Sequence, residues 1–205
     1  MRILRESIPF IVVPLILAGV FLILGLWILL AFCLLVSLFM AFFFRDPQRQ
    51  PPTDPNLVVA PADGKVTKIQ RLADSDDSST LISIFLSPFD VHINRAPIPG
   101  RITDVVYSPG KFLMATNQNA SLVNEQNILT IHGDNITVVC KQIAGILARR
   151  IVCWKNKGDE VALGERFGLI KFSSRTDVIL PPNVSITVSE GVRVQGGITV
   201  IGRIS

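Results

Sequence analysis

The sequence predicts a mainly β fold, a compact sandwich or barrel, preceded by an N-terminal transmembrane helical hairpin. Residues 7–44 contain no charged side chain, well beyond the roughly 18 apolar residues that mark a membrane-span candidate. From residue 57 onward, short β-branched runs are separated by Gly, Pro, Asn and Asp, the pattern of strands joined by turns. A fainter observation is internal. Segments 158–164 and 191–197 each begin and end on glycine and read as turn, strand and turn.

The uncharged block is 38 residues long. As one helix it would run about 57 Å at 1.5 Å per residue, against a hydrocarbon core of about 30 Å. Two helices over 8–22 and 27–44 fit better, with Gly19 and Gly25 bracketing the bend. The first is short for a full crossing, which leaves oblique or re-entrant insertion as the alternative. Arg2 and Arg5 precede the block and Arg45 and Arg49 follow it, so the positive-inside bias puts both ends on the cytoplasmic side. The block is too long for a cleaved signal, and no small-residue cleavage site follows it. Prolines 47, 51, 52 and 55 then make a connector that cannot continue a helix. The expected organisation is a membrane hairpin over 1–45, a linker over 46–56 and a β-rich domain over 57–205.

Within that domain the strand pattern falls at 57–60, 65–72, 81–86, 101–107, 128–132, 136–141, 151–154, 166–172, 178–180, 184–188 and 198–201, with Gly133-Asp134-Asn135 as a hairpin turn. Only 142–150 reads as helical. The glycine-bounded pair resembles the half-motifs of biotinyl and lipoyl carrier domains. No lysine flanked by methionine at a hairpin tip accompanies it, so the likeness is architectural. Cys33, Cys140 and Cys153 have no metal-ligand spacing and read as buried reduced thiols, and no metal site is expected. A formal charge of +4 without a basic, aromatic-interleaved stripe suits an anionic lipid surface and argues against nucleic acid.

The run 168–178 is apolar except where Ser173-Ser174-Arg175 interrupts it. Serines favour turns, so one reading is a loop between strands. The other is a serine that cuts its own backbone, and the remaining polar segments bear on the choice. Ala60-Pro61-Ala62-Asp63-Gly64-Lys65-Val66 places an acid in a turn before a strand. Ser87-Pro88-Phe89-Asp90-Val91-His92-Ile93-Asn94-Arg95-Ala96-Pro97 places one of two histidines among polar neighbours, and His92 is the better base. His132, beside Gly133, reads as a solvated turn residue. Lys111 and Phe112, in 109–116, suit either a lip against a lipid or an ordinary surface loop.

Taken together, Phe44-Arg45-Asp46-Pro47, the Asp63 and His92 segments, Asn124-Glu125-Gln126-Asn127, Ile143-Ala144-Gly145 with Ala148-Arg149-Arg150-Ile151, and Arg166-Phe167-Gly168 running into Phe172-Ser173-Ser174-Arg175 resemble the short, membrane-associated branch of the phosphatidylserine decarboxylase family. The resemblance covers nearly the whole chain. It implies a proenzyme that cleaves itself between Ser173 and Ser174 into β and α subunits. Ser174 would become a covalent pyruvoyl group that forms a Schiff base with phosphatidylserine, and the product would be phosphatidylethanolamine. On the logic of a base oriented by an acid, Asp63 and His92 match the residues that activate the serine. Substrate contacts would come from Asp90, Asn94, Arg95, Lys111 and Phe112. The expected setting is the cell membrane, with the catalytic domain on the cytoplasmic side and homo-oligomerisation left open. Position 173 is serine where the family has glycine, and Arg95 stands where larger bacterial members carry a second histidine. The alternative is a membrane-anchored relative that binds aminophospholipid without processing.

Overall fold

The structure, a computed structural model, describes residues 2–72, 79–113, 120–145, 150–172 and 174–205. The chain forms two compact units, Met1–Gln48 and Arg49–Ser205. In the first, a short antiparallel pair, β1 (Arg2–Ile3) and β2 (Arg45–Asp46), brackets α1 (Ile8–Ile23) and α2 (Trp27–Phe43). Of the two glycines expected at the bend, only Gly25 turns the chain, in the left-handed region at φ 69°; Gly19 lies within α1. Small buried residues, Ala18, Cys33 and Ser37, let the helices approach, and the Ser37 hydroxyl donates to the Ile11 carbonyl at 3.1 Å. The outward apolar side chains stay exposed, Ile23 and Ile28 at 86% each. Residues 5–23 form a helical stretch long and apolar enough to cross a membrane.

The second unit is mainly β. In chain order its elements are β3 (Leu57–Val59), β4 (Gly64–Arg71), β5 (Thr80–Leu86), β6 (Ile93–Arg95), β7 (Gly100–Ser108), α3 (Ala120–Val123), β8 (Gln126–His132), β9 (Thr137–Ala144), β10 (Ile151–Cys153), β11 (Glu160–Val161), β12 (Arg166–Ile170), β13 (Ser174–Leu180), β14 (Val184–Ile186), β15 (Arg193–Val194) and β16 (Val200–Ile204). Eight strands, in the order β11-β7-β8-β9-β13-β5-β4-β15, make one antiparallel sheet curled into a half-barrel. Two three-stranded sheets, β10-β12-β6 and β14-β16-β3, accompany it. Alternate residues such as Val66, Ile82, Ile84, Ile102, Leu129, Ile131, Cys140, Val178 and Leu180 fill the core, as the period of two requires.

Three departures from the sequence pattern matter. Strand β6 is too short to register as a pattern, whereas β11 and β15 are the strands of the two glycine-bounded segments. The region expected to be helical opens instead with the end of β9, Gln142–Ala144, and 146–149 lie outside the described residues. Strand β13 begins at Ser174, four residues before the expected start, because it is central and buries its polar residues: Ser174, Arg175, Thr176 and Asp177 are all at most 8% exposed.

The domain is also internally duplicated beyond the glycine-bounded pair. Ala60-Pro61 and Ala96-Pro97 lead into Gly64 and Gly100, which open β4 and β7. Both glycines have φ near 150°, and a Cβ on either would fall 2.2 or 2.3 Å from a carbonyl oxygen of the neighbouring strand. Both strands bulge three residues later, at Thr67 and Thr103, whose hydroxyls donate to the Ser83 and Thr130 carbonyls. Each is edged by one glycine-bounded segment, β15 on β4 and β11 on β7. The halves exchange backbone bonds reciprocally, Val59 N–H to Pro97 and Arg95 N–H to Pro61.

Candidate active site

Ser174 is the first residue of β13 and is pinned between Leu86 of β5 and Ala144 of β9. Its hydroxyl is fully buried and has no hydrogen-bond partner among the described residues. Leaving such a group unpaired costs about 1–3 kcal/mol, an arrangement that calls for a functional explanation. Phe172, two residues upstream, has φ 63°, the only positive value for a non-glycine among the described residues. A bulky residue in that region stores about 1–3 kcal/mol of strain. Ser173, between them, lies outside the described residues.

His92 is brought to this end of the sheet through the backbone. Its carbonyl accepts from Ile170 N–H at 3.1 Å, and Ile93 and Asn94 of β6 pair with Leu169 and Gly168 of β12. The histidine therefore sits beside the strand that leads into 171–174. The ring is 3% exposed, with Nδ1 2.9 Å from the Asp90 carbonyl. A carbonyl only accepts, so this contact holds the proton on Nδ1 and leaves the lone pair on Nε2 in the neutral ring. The Asp90 carboxylate in turn accepts from Ser87 N–H and Oγ at 2.8 and 2.7 Å and pairs with Arg193, which fixes the loop.

Asp63 accepts from Gly196 N–H at 2.8 Å through Oδ1 and from Arg49 Nη2 at 2.7 Å through Oδ2. Burial pushes its carboxyl above the usual range; the Arg49 cation and the Gly196 N–H oppose that, and the Asp90 charge adds to it. Arg49 is 10% exposed in its side chain and also donates to Gln195 Oε1 at 3.1 Å.

Behind Ser174 runs a row of buried amides. Asn127 donates to Gln142 at 2.9 Å, Gln142 to Asn94 at 2.8 Å, and Asn94 to Thr176 Oγ1 at 2.8 Å. Asn127, Gln142 and Thr176 are directly opposite one another across β8, β9 and β13. Thr176 therefore lies on the same sheet face as Ser174. On the opposite face of β13, Arg175 and Asp177 form an ion pair, with one hydrogen bond from Nη2 to Oδ2 at 3.0 Å and Nε 2.9 Å from Oδ1.

Of the remaining expected contacts, Asn94 is fully buried, with both ends of its amide engaged within the protein. Arg95, also buried, donates to the Gly164 carbonyl at 3.1 Å. Lys111 is exposed and bridges to Asn124, whose amide donates to the Ala144 carbonyl at 2.7 Å; Phe112 is 40% exposed on the same segment. No cluster of three or more metal-ligating side chains occurs among the described residues. Sequence reasoning missed Arg49, taken for a membrane flank, and Gln142, Thr176 and Gly196. Their roles follow from strand register, which no local pattern displays.

A family model described as phosphatidylserine decarboxylase matches residues 36–202. Among similar proteins, the phosphatidylserine decarboxylase proenzyme of Solibacter usitatus is 52% identical over 170 residues, 83% of this chain and 81% of the relative. The proenzyme of Chlorobium phaeobacteroides (strain BS1) is 48% identical over 169 residues, 82% of this chain and 79% of the relative. That of Geotalea uraniireducens is 45% identical over 200 residues, 96% of this chain and 94% of the relative.

Proposed function

The chain belongs to the phosphatidylserine decarboxylase family, and we propose that it is a proenzyme that cleaves itself before Ser174 and then converts phosphatidylserine to phosphatidylethanolamine. The observation that carries the site assignment is the buried, unpartnered hydroxyl of Ser174 two residues after a left-handed Phe172. The proenzyme names of the relatives favour processing over the binding-only alternative.

In the self-cleavage, Ser174 Oγ attacks the carbonyl carbon of residue 173 and gives its proton to His92 Nε2. The oxyanion collapses, the Ser174 nitrogen leaves with a proton, and residue 173 remains as an ester on Oγ. Loss of the Ser174 Cα proton expels the residue 173 carboxylate and leaves a dehydroalanine. Its nitrogen is replaced by the oxygen of water and departs as ammonia. Strain at Phe172 lowers the cost of deforming the scissile segment. On the family resemblance, Asp63 is the acid that acts with His92 in activating the serine.

Ser174 fits the pyruvoyl group that the family implies, since its side chain is enclosed by protein and both neighbouring strands fix its backbone. That group supplies the electron sink for loss of carbon dioxide from an α-amino carboxylate. His92 returns a proton to the headgroup carbon. Lys111 and Phe112, on the exposed segment tied to Ala144, meet the phosphodiester and the lipid. Asn94 acts within the protein, holding Thr176 and with it β13. The helices α1 and α2 form the membrane hairpin, with the β unit on the cytoplasmic side and its two glycine-bounded halves arranged as in biotinyl and lipoyl domains.

Intact mass of the protein purified from membranes tests the reading. The expected result is a 32-residue fragment covering 174–205 with a blocked N-terminus. Recovery of only the uncut 205-residue chain overturns it.

A further inference from the structure

Arg49 stands directly after the membrane unit, where a cation reads as an interfacial anchor. Its side chain does something else. The guanidinium is 10% exposed, and its two Nη atoms bridge the Asp63 carboxylate at 2.7 Å and the Gln195 amide oxygen at 3.1 Å. Gln195 adjoins Gly196, whose N–H holds the other Asp63 oxygen at 2.8 Å. Arg49 therefore fixes both the carboxylate and the turn that shares it.

The internal duplication makes this specific. The turn equivalent to Ala60–Gly64 carries Pro99 where the first carries Asp63. The fold needs neither an acid nor a cation to build that turn. Other charged groups near Asp63 do not replace Arg49. Asp90 is of like sign and is paired with Arg193, and Arg95 is directed to the Gly164 carbonyl. Among the described residues, Arg49 is the one cation in hydrogen-bond contact with Asp63.

We propose that Arg49 is a positioning residue for the reaction, keeping Asp63 ionised and aimed so that His92 can serve as base. This rests on the assignment of Asp63 and His92 made above. The physical basis is the opposition of burial, which disfavours the carboxylate, and a contacting cation, which favours it. Without Arg49, only the Gly196 N–H still opposes burial, and the acid protonates at a higher pH.

The test is cell-free synthesis of the full chain into phospholipid vesicles. Translation is then arrested and transferred to a series of pH values, and release of the 174–205 fragment is timed. Arg49→Gln moves the acid limb of the cleavage-rate profile upward by about 1–3 pH units, whereas Arg49→Lys, which keeps the charge, leaves the limb near its wild-type position. A profile lowered uniformly in Arg49→Gln, with its limb in place, overturns the proposal and leaves only a packing role. If Arg49→Gln does not fold, the Arg49→Lys profile decides alone, because a displaced limb in that variant also overturns it. Asp63→Asn separates the two levels. Wild-type cleavage in that variant sinks the underlying assignment, while lost cleavage there with an unshifted Arg49→Gln limb sinks the Arg49 inference alone.

Discussion

The turns at 60–64 and 96–100 are built alike and used differently. Each follows an Ala-Pro step, passes through a glycine pressed against a neighbouring carbonyl, and opens a strand that bulges at a threonine. At the position before the glycine, the first has the partly buried Asp63, bonded to Arg49 and Gly196, and the second has the exposed Pro99. Two residues before the alanine, the first has Val58 in the apolar core and the second has Asn94 in the amide row. Shape is common to the halves because each opening glycine lies against a carbonyl of the neighbouring strand, where a Cβ would overlap it. Chemistry is assigned to the halves separately, an acid to one and a polar strut to the other. Substitutions at matched positions thus separate folding from catalysis.

The largest expected difference is at Asp63 and Pro99. Asp63→Asn slows self-cleavage at least about 100-fold, the usual scale for losing an acid–base partner. Pro99→Asn leaves the cleavage rate unchanged, measured by release of 174–205. Since burial raises the Asp63 carboxyl, wild-type cleavage falls as pH drops through a window above the ordinary carboxylate range. Equal loss in the two variants would mean that Asp63 serves only the turn.

Matched losses are expected at the glycines. Gly64→Ala and Gly100→Ala each put a Cβ within about van der Waals overlap of a backbone carbonyl, at 2.2 and 2.3 Å. Each should cost about 3 kcal/mol in denaturant unfolding, in the upper range for single substitutions. Gly64→Ala also displaces Asp63 and slows cleavage beyond what the lost stability explains, while Gly100→Ala does not. Similar cleavage at matched stability in both variants would break the distinction between the halves.

Asn94→Val gives the second half the core residue of the first. It leaves Gln142 Nε2 and Thr176 without their buried partner, at about 1–3 kcal/mol for each unsatisfied group. We expect a net loss near 2 kcal/mol in denaturant unfolding and slower cleavage, as Thr176 no longer anchors the start of β13. A stability-neutral Asn94→Val with normal cleavage would show that the amide row is not structural.

How legible this was depended on whether residues signal locally. The helices were visible because charge is absent over a long run, and most long strands because their core residues alternate. Asp63, His92 and Ser174 stood out as polar groups in apolar or proline-bounded surroundings. The amide row was illegible, because Asn127, Gln142 and Thr176 meet only through the register of three strands. The start of β13 was missed for a related reason. A central strand with polar residues buried on both faces has no alternation to read. Arg49 misled because a cation beside a membrane segment has an adequate local explanation, and its partners Asp63 and Gln195 are distant in sequence.

The smallest effect tests the likeness most strictly. Thr67 and Thr103 occupy the two bulges, and their hydroxyls donate to the Ser83 and Thr130 carbonyls at 3.3 and 3.4 Å. Both bonds are long and both residues are largely exposed, so water replaces much of each bond when it is lost. Valine keeps the β-branched shape that suits a strand. Thr67→Val and Thr103→Val should therefore each change stability by no more than about 0.5 kcal/mol, in the same direction, with cleavage unaltered. A difference above about 1 kcal/mol between them would show that the bulges carry unequal loads. The half bearing Asp63 and Arg49 would then be specialised in its frame as well as in its turn.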